Sequence, residues 1–203
     1  MKRIARLLVC LIAAGLLSAP VLAQQNREPG GPRAPTIPRK PPAEVRSDLL
    51  DSLFARLRKV DSPVEAQVVE RAIWELWMKS DSPTAELLLT QAVKALGAGE
   101  EQASLAILDR LVEIHPDFAE AWNKRATVYF MLGRYGDSLA DIKHVLDLEP
   151  RHFGALSGLG MIKQQQGDNN AALAAFRDAL AVNPQLQGAK QAVEELAADE
   201  EDI

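Results

Sequence analysis

Residues 113–122 read EIHPDFAEAW, a helical pattern that halts at His115-Pro116 and resumes almost at once. The same break returns in DLEPRHFGAL and again in AVNPQLQGAK. Its prolines, Pro116, Pro150 and Pro184, are spaced 34 residues apart. Gly99, Gly133 and Gly167 follow the same step, each 17 residues ahead of its proline. A glycine permits the left-handed backbone that ends a helix. A proline cannot continue one, and it biases its predecessor away from helix. Each unit therefore reads helix, glycine turn, helix, proline corner. The corners mark where one helical hairpin hands over to the next.

Working outward, Val45, Leu49, Leu50, Leu53, Phe54, Leu57 and Val60 recur at three- and four-residue steps, which makes an apolar helical stripe. In DSPVEA, Ser62 is a candidate cap, Pro63 suits the first helical position, and Glu65 completes a capping-box pattern. The next stripe is expected to be Val64, Val68, Ala72, Ile73 and Leu76, with Trp77 beside it. DSPTAE then repeats the start signal at Ser82. Residues 44–84 are predicted to hold a helical hairpin, Glu44 to Lys79, and its tight exit.

The 34-residue unit resembles the tetratricopeptide repeat, TPR, whose pattern is W-x2-L-G-x2-Y, then A-x3-F, then P. Residues 119–152 carry Trp122, Ala126, Tyr129, Ser138, Ile142 and Pro150, and depart from the pattern at Arg125, where Leu is usual. Residues 153–186 carry Leu156, Leu159-Gly160, Ala172, Phe176 and Pro184, with Lys163 in the Tyr slot. Residues 85–118 are looser, with Leu88, Ala92, Ala95, Ser104, Leu108 and Pro116. The resemblance implies an all-α solenoid of three stacked helix pairs. The hairpin at 44–84 is then a divergent repeat or cap, and 187–203 a capping helix with an acidic tail. One hairpin cannot bury both of its faces, so neighbours must stack. The small residues Ala92, Ala126 and Gly160, with Ser104, Ser138 and Ala172, let paired helices approach closely.

The resemblance also implies a concave face, lined by the first helix of each repeat, that holds a peptide or helix of a protein partner. The inward positions would be Glu86, Leu89, Val93 and Leu96, then Asn123, Thr127, Phe130 and Met131, then Ser157, Met161, Gln164 and Gln165. Relatives that clamp a C-terminal carboxylate use Lys or Arg with Asn across this face. Asn123 is present without an aligned basic residue, so a neutral, apolar-tinged ligand fits better.

No catalytic set converges elsewhere. His115 and His152 fall at repeat corners and His144 on a second helix, and all three are expected at the surface. His144 and His152 lack the spacing of a helical metal pair. Gly158–Gly160 lies inside a helix, not in a phosphate loop. The expectation is a non-enzymatic scaffold without cofactor or metal.

Composition bounds the rest. The chain has 203 residues and a formal net charge of −5, which argues against general nucleic-acid binding. Residues 1–23 combine Lys2, Arg3 and Arg6 with an apolar run and Val21-Leu22-Ala23, the layout of a signal peptide cleaved after Ala23. The alternative is an uncleaved anchor. Cleavage would remove three positive charges and the lone Cys10, shifting the net charge to −8 and leaving no thiol chemistry and no membrane span. Residues 24–43 hold six prolines and two glycines among basic residues, and are expected to form a disordered tether. Together these imply an exported adaptor of the bacterial periplasm. Self-association into a homo-oligomer and service as an accessory subunit of an envelope enzyme stay open.

Overall fold

Side chains mark several helix starts in this chain. The computed structural model of the protein describes residues 40–201. The expected signal peptide and all but the last four residues of the tether lie outside the described residues. Within them run α1 (Pro42–Leu57), α2 (Pro63–Trp77), α3 (Pro83–Gly97), α4 (Glu101–Ile114), α5 (Ala119–Met131), α6 (Tyr135–Leu148), α7 (Phe153–Gln165), α8 (Asn169–Val182) and α9 (Gln187–Glu201). The first helix starts at Pro42, two residues before Glu44, so the end of the proline-rich segment is already helical. Ser62 Oγ accepts from the Glu65 amide and Ser82 Oγ from the Ala85 amide, each followed by proline at the first helical position. Glu65 does not close the capping box; its carboxylate pairs with Arg56.

Gly99, Gly133 and Gly167 have φ of 74°, 69° and 75°, the left-handed region a side chain resists. The proline corners are equivalent in geometry as well as in spacing. His115, Glu149 and Asn183 leave their helices with similar φ, −135°, −138° and −127°. Three residues on, the amides of Phe118, His152 and Leu186 donate back to the carbonyls of His115, Glu149 and Asn183.

Stacking buries a run of cores between successive pairs. Leu89, Leu108, Leu111 and Val128 fill the first, between α3–α4 and α5. Ala126, Ile142, Val145 and Ile162 fill the second, and Ala172, Phe176, Ala189 and Leu196 the third, where α9 closes the solenoid. Each fully buried Leu or Ile contributes about 1.5–3 kcal/mol. The small positions do bring paired helices together, and two of them add a hydrogen bond. Ser104 Oγ donates to the Ala92 carbonyl at 2.9 Å, and Ser138 Oγ to the Ala126 carbonyl at 2.8 Å. In the third pair Gly160 replaces the bond with clearance: a Cβ there would meet the Phe176 ring at 2.8 Å.

The α1–α2 hairpin folds back along the corners. Phe54, Leu57, Ile73 and Trp77 form a core with Phe153 of α7, and Val182 and Leu186 pack against it. Of the stripe expected for α2, Ile73 turns inward with the neighbouring Trp77, and Leu76 packs against the core, but the first turns do not follow it. Val64 and Val68 are 72% and 62% exposed, while Ala66, Val69, Ile73 and Trp77 are buried. Val45 and Leu49 of α1 are likewise exposed, and Leu50, Phe54 and Leu57 go inward. Apolar residues cover much of α2, so periodicity admits two faces; Ala66 and Val69 share a face with Ile73 and Trp77 and are the ones buried.

Candidate functional site: the concave groove

Helices α5 and α7 run side by side, and the space between them is a pocket of about 170 Å³. Five of the expected groove residues meet there: Asn123, Thr127 and Phe130 from α5, with Ser157 and Met161 from α7. Ala126 and Ala155 keep the walls thin, while Ser138 and Ile142 of α6 and Ile162 of α7 also line it. Gly158 of α7 leaves room there, since a Cβ would stand against Ile142 of the lining. A second hollow of about 400 Å³ lies between α7 and α9, where Ser157, Met161 and Gln164 face Gln191 and Glu195.

The other expected residues are placed differently. Val93 and Met131 are exposed but line neither hollow. Gln165 is exposed as well. Leu89 is fully buried in the first core, and Leu96 packs against that core, so neither faces a ligand. Both are apolar residues on the face that α3 turns toward the next helices, and packing claims them. Glu86 closes the α2–α3 turn: it accepts from the Ser80 amide at 2.9 Å and from Lys79 Nζ at 3.0 Å. Those bonds, the Ser80 amide foremost, hold its carboxyl below the usual range.

Asn123 is also committed. It is only 7% exposed, and its Nδ2 donates to Glu120 Oε2 at 3.1 Å. Glu120 is the centre of a polar cluster at the groove's edge that the sequence analysis did not identify. His152 was expected at the surface and is fully buried. Its Nδ1 accepts from the Ala155 amide at 3.1 Å, which caps α7 and places the ring hydrogen on Nε2. Nε2 then donates to Glu120 Oε2 at 3.0 Å. Lys124 Nζ stands 2.7 Å from the other carboxylate oxygen and 5.0 Å from the Trp74 ring centroid. Burial alone would push the Glu120 carboxyl up. The His152 N–H and the Lys124 ammonium outweigh it and hold that carboxyl below its usual range.

One signal could have exposed His152. Its equivalents one repeat away on either side are Phe118 and Leu186, so it occupies an apolar slot. A histidine there needs a buried partner, and Glu120 supplies it.

Arg125, the departure from the repeat pattern, is compensated in full. Nε and Nη2 bind Asp141 at 2.8 and 2.7 Å, and Nη1 reaches Asp109 at 2.9 Å. The guanidinium lies over Trp122 and Tyr129. The Asp141 carboxylate, though opposed by burial, favours the charged guanidinium and raises its already high pKa. Arg125 thereby ties α4 to α5 and α6. Among the described residues no group of His, Cys, Asp or Glu is placed to hold a metal ion. No described helix is long and apolar enough to cross a membrane.

The arrangement has relatives. The tetratricopeptide repeat family model matches residues 117–185. A TPR repeat-containing protein of Rhizobium etli is 40% identical over 148 residues, spanning 73% of this chain and 72% of that protein. The chain belongs to the tetratricopeptide repeat family. This TPR protein is also 34% identical over 89 residues to the SGT1 homolog of Bos taurus, covering 44% of this chain and 26% of that one. Among solved structures, the first TPR of Spaghetti (RPAP3), bound to an HSP90 peptide, superposes with a TM-score of 0.56 at 18% identity. That match covers 59% of this chain and 94% of the other. The Sgt2 TPR domain of Aspergillus fumigatus matches with a TM-score of 0.56 at 19% identity, over 60% of this chain and 82% of that one. Both likenesses describe the fold. TPR solenoids are protein-interaction scaffolds whose concave faces serve as binding surfaces.

Proposed function

We propose that this TPR protein is a non-enzymatic adaptor that seats an extended or helical segment of a partner protein along α5, α7 and α9. The observation that carries this is the pocket between α5 and α7. Its accessible lining combines apolar Phe130 and Met161 with the hydroxyls of Thr127 and Ser157. Such a site takes one bulky apolar side chain and leaves the adjoining backbone within reach of polar groups. Methionine adapts to ligands of different shape.

The Spaghetti TPR is described with the HSP90 peptide SRMEEVD, an acidic segment. The pocket here is lined by no lysine or arginine. Lys124, at its edge, is already engaged by Glu120. The proposed ligand is therefore neutral with an apolar anchor. The N-terminal segment supports export to a bacterial envelope as the setting.

The test is site-specific photo-crosslinking in envelope extract. A crosslinker at Met161 should capture a discrete partner that a crosslinker at Lys143, on the exposed face of α6, does not. Thr127→Arg should abolish that capture while the helical signal is kept. Equal capture from both positions, or capture undiminished in folded Thr127→Arg, would refute the groove as the binding site.

A further inference from the structure

In a solenoid each repeat touches only its neighbours, so curvature is set by local interfaces. The α1–α2 hairpin breaks that rule. Asp51 of α1 binds Arg151 Nη1 at 2.7 Å, across 100 residues of sequence. Glu70 of α2 accepts from Asn183 Nδ2 at 2.6 Å, across 113. The Val60 carbonyl accepts from Gln185 Nε2 at 3.3 Å, across 125. These ties reach two successive proline corners, and an aromatic cluster joins them. Trp77 stacks on His152, while Trp74 meets His152 and Phe153 edge-on at 5.3 and 5.5 Å.

The closest approach lies beside the groove. A Cβ on Gly154 would sit 2.7 Å from the Trp74 ring, so Trp74 rests directly on the backbone of α7's first turn. Gly154 also lines the pocket between α5 and α7. On its other side Trp74 lies under the ammonium of Lys124 on α5. One indole thus touches both helices that bound the pocket, at the end where their N-terminal turns meet.

We propose that the α1–α2 hairpin is a brace that sets the spacing of α5 and α7, with Trp74 as the positioning residue. Within the repeats that spacing rests on the second core, where Ala126 of α5 and Ala155 and Ile162 of α7 pack through Ile142 and Val145 of α6. The hairpin adds to it from outside, by bearing on α7 through Gly154 and on α5 through Lys124, and it is itself anchored to the corner at Asn183 through Glu70. This device does not depend on what the groove binds.

The full chain with Cys10→Ser, and spin labels at Thr127→Cys and Met161→Cys, reports the spacing directly without any ligand. Two further changes release the brace separately. Trp74→Ala removes the indole, and Glu70→Ala cuts a polar tie at the hairpin's far end. Each should broaden the label-to-label distance and move its mean by about 1–2 Å, the scale of helix shifts at packed interfaces. Hydrogen exchange at the Ala155 and Leu156 amides should accelerate about tenfold or more in the same variants. Distances that superpose on the parent, with faster exchange confined to α1 and α2, would overturn the proposal. Should Trp74→Ala fail to fold, Glu70→Ala decides alone, since Glu70 lies outside the apolar core.

Discussion

His152 and Trp77 stack nearly face to face, their ring centroids 4.0 Å apart and their planes 11° from parallel. One closes the second repeat, just ahead of α7, and the other ends α2, so this contact helps join the hairpin to the solenoid. His152 also caps α7 and donates to Glu120. Replacing it with Leu, the residue type at the next corner, should therefore destabilise despite restoring the repeat pattern. The cap and the buried bond are lost together, and Glu120 keeps only Lys124 and Asn123. The expected cost is about 2–4 kcal/mol, read as a drop in urea midpoint. An unchanged midpoint would contradict the buried network.

Acid should reach the same cluster through Glu120. Its carboxyl lies below the ordinary value of 4.5 in the folded chain. Between the two values the unfolded chain binds more protons, so stability rises with pH across that window. The contribution is whole above pH 4.5, fades as pH falls through the folded value, and is gone below it. Urea midpoints from pH 7 down to pH 3 should fall more steeply for the parent than for Glu120→Gln. Parallel curves would show that Glu120 is not held in its charged form.

Gly158 and Gly160 sit on the same helix and should answer oppositely to alanine. A Cβ at Gly160 meets the Phe176 ring at 2.8 Å, so Gly160→Ala overpacks the α7–α8 contact and costs about 1–3 kcal/mol. At Gly158 the nearest atom is Ile142 Cδ1 at 3.4 Å. There the helix preference for Ala, about 0.5–1 kcal/mol, offsets the tight contact. Gly158→Ala should therefore hold or raise the melting temperature while narrowing the pocket and weakening capture at Met161. Equal losses of stability at both sites would argue against this packing.

Arg125 offers a double-mutant test. Arg125→Leu restores the usual repeat residue but strips the buried Asp141 of its cation, at a cost of about 3–5 kcal/mol. Arg125→Leu with Asp141→Leu should recover most of that, because an apolar pair replaces a buried ionic one. A double variant as unstable as the single would assign the loss to something other than the stranded carboxylate.

The backbone plan was legible because it is written in residues with a single physical use. Glycine at positive φ and proline at a helix end leave few alternatives, and their common period does the rest. Ser62 and Ser82 were equally plain, since a hydroxyl ahead of proline has an obvious partner in the next turn. The groove was legible in part. Thr127, Ser157 and Met161 are where the repeat register places them, whereas Leu89 obeys the same register and is taken by the core. Register gives a direction; the volume of neighbouring side chains decides what is left open. Val64 and Val68 misled for a related reason, since α2 could bury either of two apolar faces. His152 and Glu120 stayed hidden because their partnership spans 32 residues and needs a third element, Trp77, to exclude water.

The ties at Asp51, Val60 and Glu70 have a consequence for how the chain is built. Helices α1 and α2 find their partners 100 to 125 residues downstream, in Arg151, Asn183 and Gln185. Local pairs such as α3–α4 and α5–α6 can form as soon as they appear, but the leading segment must wait with Phe54, Ile73 and Trp77 uncovered. Completion of this fold thus waits for residues 151–185, and a chaperone or a translocating pore would meet α1 and α2 with their core residues still unclaimed.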